Sequence, residues 1–130
     1  MERQKQYFET AEKAQAAFHE VLQMPANKIS RDAAIQRFKF TTEATWKLLQ
    51  IYLRTKEGLD INSPKGVFRA AFQVGLLNEP ETSLALEMID MRNLTVHTYD
   101  ETLAQQIFSR LPEYAKLMAY LLDQIKSKIS

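Results

Sequence analysis

Chain breakers are so few in this sequence that they dictate what it can fold into. Three glycines (Gly58, Gly66, Gly75) and four prolines (Pro25, Pro64, Pro80, Pro112) interrupt 130 residues. Between them, apolar residues recur at three- and four-residue steps, the period of an amphipathic helix. Phe8, Ala11, Ala14, Phe18, Val21 and Leu22 form one such stripe, and Pro25 stops it, which predicts a first helix from Arg3 to Gln23. Ser30 is the expected cap of a second helix, with Asp32 placed against the dipole of its first turn. This helix should run to Thr55, bury Ile35, Phe38, Thr42, Trp46, Leu49 and Leu53, and stop at Gly58.

Ser63 as cap, Pro64 at the first helical position and Gly75 as terminator bracket a short third helix. Its buried side is expected to hold Val67, Phe68, Ala71 and Phe72. Asn78 caps a fourth helix, with Leu84, Met88, Met91 and Thr95 on one side and Ala85, Ile89 and Val96 beside them. Asp100 caps the last segment, where Ala104, Ile107, Leu111, Tyr114, Met118, Leu121 and Ile125 repeat at helical spacing. Pro112 is expected to kink or restart it, and the basic end with Lys126 and Lys128 to fray. No alternating strand pattern or internal repeat interrupts this series. The expectation is a single all-α domain over residues 1–130, an up-and-down helical bundle of about five helices.

Composition narrows the function classes. Seventeen Lys and Arg against sixteen Asp and Glu leave a formal charge of +1, so any nucleic-acid contact must come from a local patch. Cysteine is absent, which removes disulfides, thiolate nucleophiles and thiolate zinc sites, and fits a reducing, cytoplasmic setting. The charged start "MERQKQYFETAEKAQ" does not resemble a secretion signal. No apolar run approaches the ~20 residues of a membrane-spanning helix, so no membrane association is expected. Neither "GxxxxGK[ST]" nor "GxGxxG" occurs, and no clustered aspartates suggest a metal-dependent nucleotidyl transfer centre. His19 and His97 make a poor zinc pair without thiolates. The chain is therefore not expected to be a nucleotidyltransferase itself, to bind a metal or to need a cofactor.

Most of the aromatic residues, Phe40 and Phe72 among them, fall at core spacing. Lys65 and Arg69 could hold a phosphate at the third helix's start, although a solvated face is the commoner role. One stretch resists a purely structural reading. "RNLTVHTY" crowds Arg92, Asn93, His97 and Tyr99 into eight residues of a chain with two histidines. Asn93 and His97, four apart, share a helix face, whereas Arg92 and His97, five apart, lie about 140° around an ideal helix. Either the helix ends before His97 and the chain turns, or two copies of the motif meet across a two-fold axis. Met88, Met91, Thr95 and Val96 around it are expected to be buried, and Glu87 or Asp90 could hold Arg92 or a neighbouring cation. The plain alternative is an arginine paired with a carboxylate and a histidine at a helix C-terminus.

At "RNLTVHTY" the sequence resembles the R-x4-H motif of HEPN domains, with the asparagine after the arginine and the tyrosine two beyond the histidine also present. "FKFTTEATWKLL", "SPKGVFRAAFQVGLL" and "MRNLTVHTYDE" occur in the order found in the nucleotidyltransferase substrate-binding branch of that superfamily. One departure is that the branch's phenylalanine-glutamate before the tryptophan is spread here over Phe40 and Glu43, with threonines between. The resemblance implies a substrate- or nucleotide-binding subunit, homodimeric, paired with a separately encoded minimal nucleotidyltransferase. Related branches are metal-independent ribonuclease toxins, some silenced by AMP transfer to the motif tyrosine. Carried over, Arg92, Asn93, His97 and Tyr99 form the binding site, Arg92 and His97 are the catalytic pair if RNA is cut, and Tyr99 is the AMP acceptor. The chemistry is coherent: metal-free RNA cleavage needs a base for the 2′-hydroxyl proton and a fixed cation for the phosphoryl oxygens. The same set could bind a nucleotide or RNA without cutting it.

Overall fold

The computed structural model describes residues 2–129. Five helices account for nearly all of them: α1 (Glu2–Leu22), α2 (Lys28–Glu57), α3 (Pro64–Gln73), α4 (Glu79–Leu94) and α5 (Glu101–Ile129), with a 3₁₀ turn at Thr95–His97. No strand occurs among the described residues. Buried apolar side chains from all five helices join in one cluster, with Phe18, Phe38, Phe68, Met88, Leu111 and Tyr114 among its largest members. The apolar stripes therefore face where their periodicity places them.

The helix limits follow from local chemistry. Asn27, not Ser30, caps α2: its side-chain oxygen accepts from the Ser30 N–H at 2.9 Å, and Ser30 Oγ accepts from the Asn27 N–H at 3.0 Å. Ser30 is the third residue of that capping box, so Asp32 lies beyond the first turn and pairs with Arg31 instead. Gly58 ends α2 at φ 69°, a conformation that costs any residue with a Cβ. Ser63 with Pro64 starts α3, and Asn78 with Glu81 makes a second capping box at α4. Asp100 caps α5 through bonds from the Thr102 and Leu103 N–H groups at 3.0 and 3.2 Å. α5 runs as one helix through Pro112 rather than restarting there, and it stays helical to Ile129 past Lys126 and Lys128. Packing along its length outweighs the one lost backbone bond.

α2 touches each of the other four helices and is the frame of the molecule. Polar bonds join it to α1, and α1 in turn to α5. Thr41 Oγ1 donates to the Ala14 carbonyl at 3.1 Å or the Arg37 carbonyl at 2.7 Å, and Gln15 Nε2 donates to the Met118 carbonyl at 3.0 Å. Three expected core residues face outward instead: Phe40 is 60% exposed, Phe72 46% and Val96 63%. Phe72 sits at the edge of the apolar arc of α3, Phe40 lies on the face of α2 away from its buried residues, and Val96 falls in the 3₁₀ turn, where α-helical spacing no longer applies.

Candidate functional site

The motif straddles a helix end. α4 stops at Leu94, and the backbone tightens into the 3₁₀ turn that carries His97. Threonines direct the change: Thr95 Oγ1 donates to the Arg92 carbonyl at 2.7 Å and Thr98 Oγ1 to the Thr95 carbonyl at 3.2 Å. Such side chains satisfy carbonyls orphaned at a helix terminus. The Asp100 N–H then donates to the His97 carbonyl at 3.1 Å, and α5 begins. The helix thus ends and the chain turns before His97, the first of the two arrangements considered from spacing.

Both ends of this loop are tied to α2 by ion pairs of opposite polarity. At one end Arg92 Nε donates to Glu43 Oε1 at 3.0 Å, and Lys47 Nζ lies 3.9 Å from the other Glu43 oxygen. At the other end the Arg31 guanidinium grips Glu101 through Nη1 and Nη2 at 2.9 and 3.3 Å. Hydrogen bonding by Arg31, helped by Lys28, holds the Glu101 carboxyl below its ordinary value.

The expected site residues gather around one helix end, Arg92 and Asn93 in the last turn of α4, His97 in the 3₁₀ turn and Tyr99 just after it. Asn93, His97 and Tyr99 are exposed, Tyr99 at 82%, and Arg92 is partly buried. Tyr99 Oη lies 3.4 Å from His97 Nδ1, with the two rings edge to face at 5.9 Å between centroids. Arg92 and His97 make no direct hydrogen bond. The counter-charge of Arg92 is Glu43, not Glu87 or Asp90. Glu87 takes Arg110 Nη2 at 2.7 Å and the buried Tyr114 hydroxyl, while Asp90 takes Lys65 at 2.6 Å. Lys65 is thus occupied rather than poised for phosphate.

A polar cavity of about 280 Å³ opens where the loop bows away from α2, lined by Asp32, Gln36, Lys39, Thr95, Thr98 and Tyr99. A larger open cleft of about 580 Å³ lies along the start of α5 beside Arg31, whose guanidinium is already engaged. Among the described residues no cluster of three or more His, Asp or Glu could hold a metal, and no helix is long and apolar enough to cross a membrane. Glu43 and Lys39 are neighbours of the motif that sequence reading did not place among the candidate site residues; Glu43 was singled out there only as the glutamate of the family's phenylalanine-glutamate pair, and Lys39 not at all.

The molecule is an all-helical bundle that carries Arg92, Asn93, His97 and Tyr99 around the end of one helix. Residues 6–127 match the family described as "nucleotidyltransferase substrate binding protein like", and the chain belongs to it. It is 56% identical to a Thermus thermophilus protein of known crystal structure, covering 88% of this chain and 98% of that one, with a TM-score of 0.86. It is 27% identical over 99 residues to the probable ribonuclease HepT of Haemophilus influenzae, covering 73% of this chain and 66% of that protein, just under two thirds of its length. Its fold matches, at 18% identity and a TM-score of 0.75, a tri-AMPylated Shewanella oneidensis HEPN toxin solved with its MNT antitoxin, over 95% of this chain and 96% of that one.

Proposed function

We propose that this protein is a nucleotide- or substrate-binding subunit that works with a separately encoded minimal nucleotidyltransferase in the cytoplasm. Family membership supports this, together with one observation of geometry: Arg92 is fixed through Nε alone, which leaves Nη1 and Nη2 for a phosphate. Asn93, beside it in the last turn of α4, and His97 and Tyr99, in the turn that follows, are exposed donors and acceptors. Two copies of the loop, facing each other across a two-fold axis, form the composite cleft. Co-expression with the adjacent nucleotidyltransferase gene should yield a complex that survives size-exclusion chromatography. A chain that elutes alone beside its partner would refute the reading.

The accessible Tyr99 hydroxyl is the proposed acceptor of an AMP group, formed when it attacks the α-phosphorus of ATP on the partner enzyme and pyrophosphate leaves. Intact-mass analysis after incubation with partner and ATP should show one added AMP, or more, absent in Tyr99→Phe. A second reading, supported by the Haemophilus relative named a probable ribonuclease, makes the free protein a metal-independent ribonuclease toxin. His97 would then take the 2′-hydroxyl proton and Arg92 stabilise the phosphoryl oxygens. Expression without the partner should arrest growth and His97→Ala should relieve the arrest; arrest by the His97→Ala protein would remove this reading.

A further inference from the structure

Six cationic side chains of the described residues are not fully exposed: Arg31, Arg37, Lys39, Lys65, Arg92 and Arg110. Five have a carboxylate within ion-pair distance: Arg31 has Glu101, Arg37 has Glu20, Lys65 has Asp90, Arg92 has Glu43 and Arg110 has Glu87. Lys39 has neither an ion-pair nor a hydrogen-bond partner among the described residues. Partial burial of an unpaired charge is unfavourable unless something arrives to meet it.

The surroundings of Lys39 suit an anion. It lines the cavity beneath the motif loop with Gln36, Thr98 and Tyr99. Asp32, the carboxylate of that cavity, accepts from Arg31 Nε and Nη2 at 3.2 and 3.1 Å. Glu101, which shares Arg31, also has Lys28 at 3.4 Å, so these two cations balance the two carboxylates and Lys39 is left as the uncompensated charge. Lys39 and Glu43 are four apart on α2, on one face and separated by a rise of about 6 Å. Glu43 in turn holds Arg92. Two cations, Lys39 directly and Arg92 through Glu43, therefore meet α2 at positions about one helical turn apart. Tyr99 forms a wall of the Lys39 cavity and reaches His97 with its hydroxyl.

We infer that the Lys39 cavity is a second phosphate subsite, so that the loop binds two successive phosphates of a single RNA strand, one at Arg92 and the next at Lys39. The exposed Tyr99 ring offers a stacking surface for a base of that strand. The inference rests on the proposed binding role of Arg92, which sets the register. A mononucleotide fills one subsite, and a 5′-phosphorylated dinucleotide fills both.

Calorimetric titration of the full chain with AMP and with the dinucleotide pApA separates these cases. The dinucleotide should bind about tenfold more tightly than AMP, the gain of one charge-assisted contact. Lys39→Gln should abolish that gain and leave AMP affinity within about twofold, Lys39→Arg should keep it, and Arg92→Gln should lose AMP binding. Equal affinity for the two ligands, or a gain that survives Lys39→Gln, overturns the subsite and leaves the Arg92 reading standing. Failure of the wild-type chain to bind either ligand overturns both.

Discussion

A guanidinium held through Nε keeps its outer nitrogens for a ligand, and Glu43 puts Arg92 in that state. The pair is partly exposed, so it contributes little to folding, and under the proposed binding role it aims Arg92. Glu43→Ala should lower AMP affinity about tenfold, the order of one oriented charged contact, with the melting temperature almost unchanged. Glu43→Gln, whose amide oxygen still accepts from Nε, should restore most of the affinity. Titration calorimetry and thermal melts on both variants check this, and a loss of melting temperature that parallels the loss of affinity would assign Glu43 to folding instead. Arg92, Asn93, His97 and Tyr99 were legible in the sequence because their relation is local, a matter of spacing along eight residues. Glu43 was not legible as their partner. It lies 49 residues from Arg92, and only the packing of α2 against α4 decides that it, rather than the nearer Glu87 or Asp90, faces the arginine.

Helix starts show the same division between local and distant information. Ser63, Asn78 and Asp100 were readable as caps because a small polar residue precedes each apolar repeat, whereas at the α2 start the cap lies three residues before the expected Ser30. The capping box uses both, Asn27 as cap and Ser30 as its reciprocal partner. Asn27→Ala should therefore cost about 1 kcal/mol in urea unfolding. Between elements, Glu87 binds α4 to α5 by accepting from Tyr114 and Arg110. The Tyr114 hydroxyl bond is the larger cause, ahead of Arg110, of the Glu87 carboxyl lying below its ordinary value. A carboxyl depressed in the folded state stabilises it above the unfolded pKa of about 4.3. That contribution fades as pH falls through the lower folded value. Acid titration of the melting temperature should thus fall less steeply in Glu87→Gln than in the wild type below about pH 4, after allowing for the Glu101 carboxyl, which is depressed in the same direction by Arg31.

At the scale of the molecule, the core was legible from periodicity, and what escaped it is informative because three aromatic or aliphatic side chains assigned to the interior stand outside it. Val96, at 63% exposure, lies inside the R-x4-H stretch, and Phe40, at 60%, follows Lys39 of the loop cavity along α2. Leu94 adds a third apolar side chain at 38% exposure. Exposed apolar groups rimming a polar cluster are the surface expected of a subunit contact, and they suit the proposed two-fold pairing of motifs, in which the same patch is used by both copies. Charge sets the condition for that pairing. Two Arg92 side chains brought together repel each other unless Glu43 accompanies each one, and in this structure it does. Sedimentation equilibrium of the wild-type chain should therefore report a dimer. Val96→Lys, which places an ammonium in the apolar rim while leaving the buried core untouched, should shift it to monomer with its helical content intact. A wild-type chain that sediments as a monomer at micromolar concentration, or a Val96→Lys chain that remains dimeric, would remove the composite cleft and leave each motif to act alone.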